Sequence, residues 1–252
     1  VCLLPLAWWL LPESIESQLA RRPAGALDSI NRTLRRLRMA TLSQLPPPPA
    51  MVSRPSILGL FSQGHGVVTV LLTLAYFSQI MAFYFIQKWT PKIAVDMGSD
   101  AAQPGGVLVW ANVGCRVGAV AVGLASQRFR LRPLVVTAML LSFATIAAYG
   151  LAPRDLFWLS LVAACAGLFT NAGVVGLYPV LVEAFPTALR ASGTGFVIGV
   201  GRGGSAVGPV VAGALFAAGS GLSLVSATMG AGALFAAAML LVLRRLRAAQ
   251  AG

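Results

Sequence analysis

The chain has 252 residues, of which 57% are hydrophobic and only 10% are charged, and its formal net charge is +12 at pH 7. Soluble proteins carry roughly 25% charged residues, so this composition excludes an ordinary soluble domain. Several continuous apolar runs reach the ~20 residues that a spanning helix needs, which predicts an all-α polytopic membrane protein and disfavours a β-barrel.

The sequence offers no candidate for enzymatic, metal or cofactor chemistry. Cys2, Cys115 and Cys165 are scattered through apolar segments at spacings typical of neither a metal site nor a disulfide framework. The single histidine, His65, is better placed as an interfacial or loop residue than as a ligand. Because no nucleophile–base pair appears either, we expect the chain not to be an enzyme.

The first 66 residues contain a helix end and a polar region. Residues 1–11 are predicted to end a transmembrane helix, with Trp8 and Trp9 at the membrane interface. Residues 12–66 are predicted to form a cytosolic loop that contains a basic amphipathic helix. This helix is suited to an anionic membrane face or to packing on the protein's own cytosolic end. Its apolar stripe consists of Leu27, Ile30, Leu34 and Leu37.

Six apolar spans follow, which predict a six-helix bundle over residues 67–243 and a cytosolic tail at 244–252. Of the Lys and Arg residues outside the spans, fourteen lie on one predicted side of the membrane and three on the other. The positive-inside rule therefore places residues 12–66 and the C-terminus in the cytosol, and explains the net charge without nucleic acid. The predicted spans are 67–87, 105–125, 134–152, 156–182, 191–217 and 223–243.

Two arginines at predicted membrane depth carry the strongest functional signal. Arg202 lies in a glycine-rich span, and Arg116 lies four residues after Asn112, on the same helical face. An arginine at a helix centre costs about 2.5–3.5 kcal/mol on the translocon scale, so each needs water or a negative partner. The seven acidic residues all lie in predicted loops or at helix ends. The partner must therefore come from a substrate, from another polypeptide segment, or from both.

The planar fork of arginine binds both oxygens of a carboxylate, which favours an organic anion as the substrate. Tyr76, Gln79, Asn112 and Asn171 are predicted to orient this anion, in a cavity lined by spans one, two, four and five. The alternative for the amides is hydrogen bonding between helices, at about 0.6 kcal/mol each. The glycines at 195, 199, 201, 203, 204 and 208 are predicted to let neighbouring helices approach closely.

Four stretches resemble the C-terminal half of a major facilitator superfamily transporter. LPESIESQLARRPAGALDSINRTLRRL resembles the start of the central cytosolic loop, and GLASQRFRLRP at 123–133 resembles the second copy of the loop signature. FPTALRASGTGFVIGVGRGGSAVGP at 185–209 and WANVGCRVGA at 110–119 resemble the aromatic acid:proton symporter branch. The resemblance covers essentially the whole chain.

The resemblance implies that the six spans are helices seven to twelve, so we expect the chain to come from a longer protein. The partner would be an N-terminal six-helix half, whose first helix supplies the proton-coupling carboxylates. Arg202 would then be the arginine of the central cavity, and Arg190 the arginine at the cytosolic gate. The loop signature implies a gating role for its basic residues, including Arg128. Its acidic position is Gln127 here, which leaves Glu183 to pair with the arginines at 128–132.

We therefore expect an integral protein of a bacterial inner membrane that imports a small organic anion, an aromatic carboxylate such as a benzoate, together with protons. Arg202 with Arg116 would bind the carboxylate. One alternative is transport of a non-aromatic organic acid or efflux of a drug. The other alternative is a truncated membrane remnant that transports nothing, because six helices form only one wall of a cavity.

Overall fold

The computed structural model describes residues 25–36, 39–45, 57–61, 65–96, 104–153, 155–186 and 189–251. The predicted helix end at 1–11, with Trp8 and Trp9, lies outside the described residues. The chain divides into two compact units, residues 1–54 and residues 55–252.

The first unit contains the predicted amphipathic helix, α1 (Ala26–Arg36). Its buried residues recur at helical spacing, whereas its arginines are exposed, so the helix has one apolar and one basic face. Asn31 connects the helix to the segment that follows: its side-chain amide donates to the carbonyl of Leu42, and its side-chain oxygen accepts from the Leu42 N–H, at 2.9 and 2.8 Å.

The second unit is a bundle of helices with six candidate membrane spans, which confirms the predicted fold class. A 3-10 turn, Ile57–Leu60, precedes them. The helices are α2 (Gly66–Asp96), α3 (Pro104–Arg128), α4 (Leu131–Tyr149), α5 (Leu156–Ala184), α6 (Arg190–Gly201), α7 (Gly204–Ala217) and α8 (Leu222–Ala251).

Two helices extend well past the limits predicted for their spans. Helix α2 continues from residue 87 to Asp96, and α8 continues from residue 243 to Ala251. Hydropathy detects only the part of a helix that lies in hydrocarbon, whereas backbone hydrogen bonding continues into the polar turns beyond it. The exposed Lys92–Asp96 ion pair, at 2.7 Å, supports the last turn of α2.

Helices α6 and α7 form the fifth span, Arg190–Ala217, with an interruption at Arg202 and Gly203. Here the Gly203 N–H bonds to the carbonyl of Val200, and the Ser205 N–H bonds to that of Arg202, at 3.0 and 2.9 Å. These tighter bonds form a 3-10-like turn close to the middle of the span. The sequence predicted one continuous helix, because a single turn of this kind leaves the hydropathy unchanged.

Helices α2 and α5 lie at the centre of the bundle. Helix α2 packs against α5, α6, α7 and α8, while α5 packs against α3 and α4. Glycines allow the closest of these approaches. A Cβ atom at Gly114 or Gly118 of α3 would overlap the backbone of Ala164 or Leu168 on α5. Gly114 and Gly118 form a small-xxx-small pair, which brings two helix backbones into contact.

The predicted role of the glycines in the fifth span is confirmed for one face of that span only. A Cβ atom at Gly201 would lie 2.5 Å from Cδ1 of Tyr76, and one at Gly204 would overlap the carbonyl oxygen of Phe77. No atom of the described residues lies within 4 Å of a Cβ atom at Gly195 or Gly199. The first pair therefore packs α6 and α7 against α2, whereas the second pair faces open space.

Candidate functional site

Arg202 lies beside two tyrosines from different helices. Its guanidinium interacts with the side chains of Tyr76 on α2 and Tyr178 on α5. The two tyrosine hydroxyls are 3.2 Å apart, and their rings are tilted at a centroid distance of 6.1 Å. Tyr76 is buried, Tyr178 is half-buried and Arg202 is exposed. We call these three residues the tyrosine–arginine group.

The interruption in the fifth span positions this group. Arg202 caps the C-terminal end of α6, and the adjacent Gly201 brings the chain against the ring of Tyr76. A side chain at Gly201 would push the tyrosine away, so the glycine is needed for the close approach of α6 to α2. The result is a cation near the middle of a membrane span with hydroxyl groups as neighbours.

A second polar group connects α2, α3 and α5. The side-chain amide of Gln87 donates to Oδ1 of Asn112 at 3.4 Å and to Sγ of Cys115 at 3.3 Å. The amide of Asn171 donates to the backbone carbonyl of Cys115 at 2.6 Å. Gln87, Asn112 and Asn171 are half-buried, and Cys115 is buried. We call these four residues the amide group.

Two other predicted binding residues lie outside both groups. Gln79 is fully buried, and its amide donates to the carbonyl of Thr170 at 3.0 Å, which joins α2 to α5. Arg116 is exposed on α3, where Val113, Val117 and Val120 are also exposed. The structure therefore brings Arg202 together with Tyr76, and Asn112 together with Gln87, but it does not bring the two arginines into one group.

Tyr178 and Asn171 are two turns apart on α5, which is roughly 10 Å along the helix axis. On α2, the half-buried rings of Phe83 and Tyr84 stack edge to face, with centroids 5.4 Å apart. They lie in sequence between Tyr76 and Gln87, the α2 members of the two groups. On α2, aromatic side chains therefore lie between the residue that belongs to the tyrosine–arginine group and the residue that belongs to the amide group.

The three predicted gating residues are all exposed. Glu183 lines a cleft with three arginines, Arg130, Arg132 and Arg244. Arg128 ends α3 and Arg190 begins α6, and neither is among the residues that line this cleft.

Sequence reasoning missed Gln87, because it is the last residue of the predicted first span. Its spacing was a usable signal: Gln87 follows Gln79 by eight residues, which places both amides near one side of α2. The Gly114-xxx-Gly118 pair was likewise visible in the sequence, but its partner backbone on α5 was not.

The chain spans about half the length of the curated relatives it matches. It is 30% identical over 259 residues to a gallate transporter of Pseudomonas putida, covering 100% of this chain and 57% of the relative. It is 31% identical over 198 residues to a 3-(3-hydroxy-phenyl)propionate transporter of Escherichia coli K12, covering 77% and 49%. A 4-hydroxybenzoate transporter of P. putida is 25% identical over 213 residues, covering 82% and 47%.

These three relatives are named as transporters, which agrees with our expectation that the chain is not an enzyme. They also match the aromatic acid branch that the motifs at 110–119 and 185–209 resemble. The family model of the Major Facilitator Superfamily matches residues 1–252, the whole chain. The chain therefore belongs to the Major Facilitator Superfamily.

Proposed function

We propose that the chain is one six-helix half of a transporter that imports an aromatic carboxylate together with protons. The observation that carries this proposal is the tyrosine–arginine group. Arg202 lies near the middle of a span, and the carboxylates of the described spans lie only at helix ends, at Asp96, Asp155 and Glu183. A substrate carboxylate would supply the missing negative charge.

In this proposal the carboxylate binds to Arg202, and the hydroxyls of Tyr76 and Tyr178 donate to the same anion. Charge-assisted hydrogen bonds of this kind are shorter and stronger than neutral ones. The aromatic ring lies toward Phe83 and Tyr84, because offset or edge-to-face contact between rings is favourable. Asn112 and Gln87, at the other end, bond to a ring hydroxyl. The acids after which the three relatives are named combine a carboxylate with a hydroxylated ring.

The remaining predicted residues have supporting roles in this proposal. The amides of Gln79 and Asn171 bond to backbone carbonyls of neighbouring helices, and thereby hold the site in shape. Arg116 attracts the anion from its exposed position on α3. Glu183, Arg128 and Arg190 act at the cytosolic gate. The protein lies in a bacterial inner membrane, and its C-terminus lies in the cytosol.

Transport also needs a second half. We propose that an N-terminal six-helix half faces Arg202, supplies the proton-binding carboxylate and alternates access with this half around the bound anion. Gly195 and Gly199 belong to the same span as Arg202, and the described residues leave open space beside them. The partner half would approach the span there.

The test is uptake of radiolabelled 4-hydroxybenzoate and gallate by cells that produce the full-length transporter. Arg202→Gln is expected to raise the KM by roughly thirtyfold or more, since a substrate carboxylate that is enclosed between the two halves without its charge partner costs 2–5 kcal/mol. Arg116→Gln is the matched control and is expected to change the KM much less. A protonophore is expected to abolish uptake. Unchanged uptake in Arg202→Gln would contradict the proposal.

A competition panel separates the alternative substrates. Excess benzoate is expected to inhibit uptake, whereas cyclohexanecarboxylate, which has the same charge and a similar size but no aromatic ring, is expected to inhibit weakly. Equal inhibition by the two acids would show that the site selects carboxylates without selecting rings.

A further inference from the structure

Two adjoining clefts lie between α4 and α8, at one end of the bundle. The first has a volume of about 180 Å³, and its apolar lining includes Val136, Val180, Leu240 and Leu241. The second has a volume of about 390 Å³ and is lined by Arg130, Leu131, Arg132, Pro133, Glu183 and Arg244. Because Arg132, Pro133 and Arg244 line both clefts, the apolar and the charged cleft meet at these residues.

The charged cleft carries an excess of positive charge. It contains three guanidinium groups and the single carboxylate of Glu183. Arg130 and Arg244 are exposed and Arg132 is half-buried, so their guanidinium groups are accessible to a ligand. Guanidinium groups bind phosphate oxygens through paired hydrogen bonds. The charge and geometry of this cleft therefore favour a phosphate-bearing anion.

The apolar cleft determines which phosphate-bearing molecule the arginines are suited to bind. Thr137 and Leu241, which line it, are both exposed, and so are Leu140 of α4 and Val242 of α8. Since α4 and α8 are both candidate membrane spans, this outer surface lies against hydrocarbon. A free phosphate ion would use only the arginines, whereas a phospholipid would place its phosphate among them and an acyl chain in the groove.

We propose that these joined clefts form a binding site for an anionic phospholipid. Arg132 and Arg244, which lie where the two clefts meet, bind the lipid phosphate, and Arg130 adds to the positive field. The groove beside Val136 and Leu241 holds the first carbons of one acyl chain. The charge distribution predicts that this end of the bundle faces the cytosol, where basic pockets between spans bind anionic headgroups. This site is separate from Arg202 and does not depend on what is transported.

The test titrates the purified 252-residue chain in detergent with phosphatidylglycerol, and separately with phosphatidylcholine of the same acyl chains, using native mass spectrometry. Phosphatidylglycerol is expected to bind more tightly. The double variant Arg132→Gln/Arg244→Gln is expected to bind it roughly thirtyfold more weakly, from about 1 kcal/mol for each arginine. Arg245→Gln removes the same charge one residue along α8, from a position that lines neither cleft, and is expected to leave the affinity unchanged.

Two further measurements distinguish binding of a lipid from binding of free phosphate. Thr137→Trp places a bulky ring in the groove without removing a charge, and is expected to weaken phosphatidylglycerol binding. Inorganic phosphate at the same concentration is expected not to displace the lipid. Equal loss in Arg245→Gln and the double variant would overturn the proposal, because it would show binding to the general positive field. Displacement by inorganic phosphate with no effect of Thr137→Trp would also overturn it.

Discussion

The tyrosine–arginine group and the amide group are both polar, and both lie within the spans, but their hydrogen bonding differs. In the amide group, each side-chain amide donates to an atom of this chain: Gln87 to Asn112 and Cys115, Asn112 to the carbonyl of Leu108, and Asn171 to the carbonyl of Cys115. In the tyrosine–arginine group, Arg202 has hydroxyl neighbours, and among the described residues no carboxylate interacts with it.

This difference follows from the chemistry of the side chains. Amide groups have donors and acceptors, so they satisfy each other and the backbone between neighbouring helices. A guanidinium group has only donors and a permanent charge, which neutral hydroxyls do not balance. We infer that the amide group holds α2, α3 and α5 together and offers only Asn112 and Gln87 to a neutral ring hydroxyl, whereas the tyrosine–arginine group is available to an anion.

The largest expected effect concerns the helix contact beneath the amide group. The double variant Gly114→Ala/Gly118→Ala places two Cβ atoms against the α5 backbone and is expected to destabilise the bundle by several kcal/mol, from about 1–3 kcal/mol for each overpacked site. Unfolding by SDS, followed by circular dichroism, measures this loss. Gly123→Ala is the control on the same helix, because in the described part of the chain nothing lies within 4 Å of its Cβ atom. Similar unfolding of the two variants would refute the tight α3–α5 contact.

A smaller effect is expected at the tyrosine–arginine group. Tyr178→Phe removes one hydroxyl near Arg202 while keeping the ring, and is expected to raise the KM for an aromatic acid about fivefold, from about 1 kcal/mol for one hydrogen bond. Uptake by the full-length transporter gives the KM. Tyr84→Phe, which also removes one hydroxyl, is expected to leave the KM unchanged. A larger change in Tyr84→Phe than in Tyr178→Phe would move the anion site away from Arg202.

The smallest effect is expected at the amide group itself. Asn171→Ala removes the bond to the carbonyl of Cys115 and is expected to lower the free energy of unfolding by about 0.6 kcal/mol, the average for bonds between membrane helices. The KM is expected to stay within about twofold, since the lost bond is structural. SDS unfolding and uptake are measured on the same variant. A raised KM with unchanged unfolding would mean that Asn171 contacts the substrate, and the division between the two groups would fail.

The sequence alone determined where the spans lie, that an amphipathic helix precedes them, and that two arginines lie within them. Each depends on a property of consecutive residues: hydropathy over ~20 positions, helical spacing of apolar residues, or a charge within an apolar run. The family resemblance depends likewise on local motifs, and the family match over the whole chain confirms it. These features need no knowledge of which helices touch.

Only the tertiary structure decided which polar residues act together. Tyr76 and Tyr178 are separated by 102 positions, and their hydroxyls meet because α2 packs on α5. Arg116 and Arg202 both lie at predicted membrane depth in the sequence, but of the two it is Arg202 that interacts with both tyrosines, because glycines bring α6 and α7 against α2. Contacts between helices depend on backbone approach and helix rotation, which no single stretch of sequence contains.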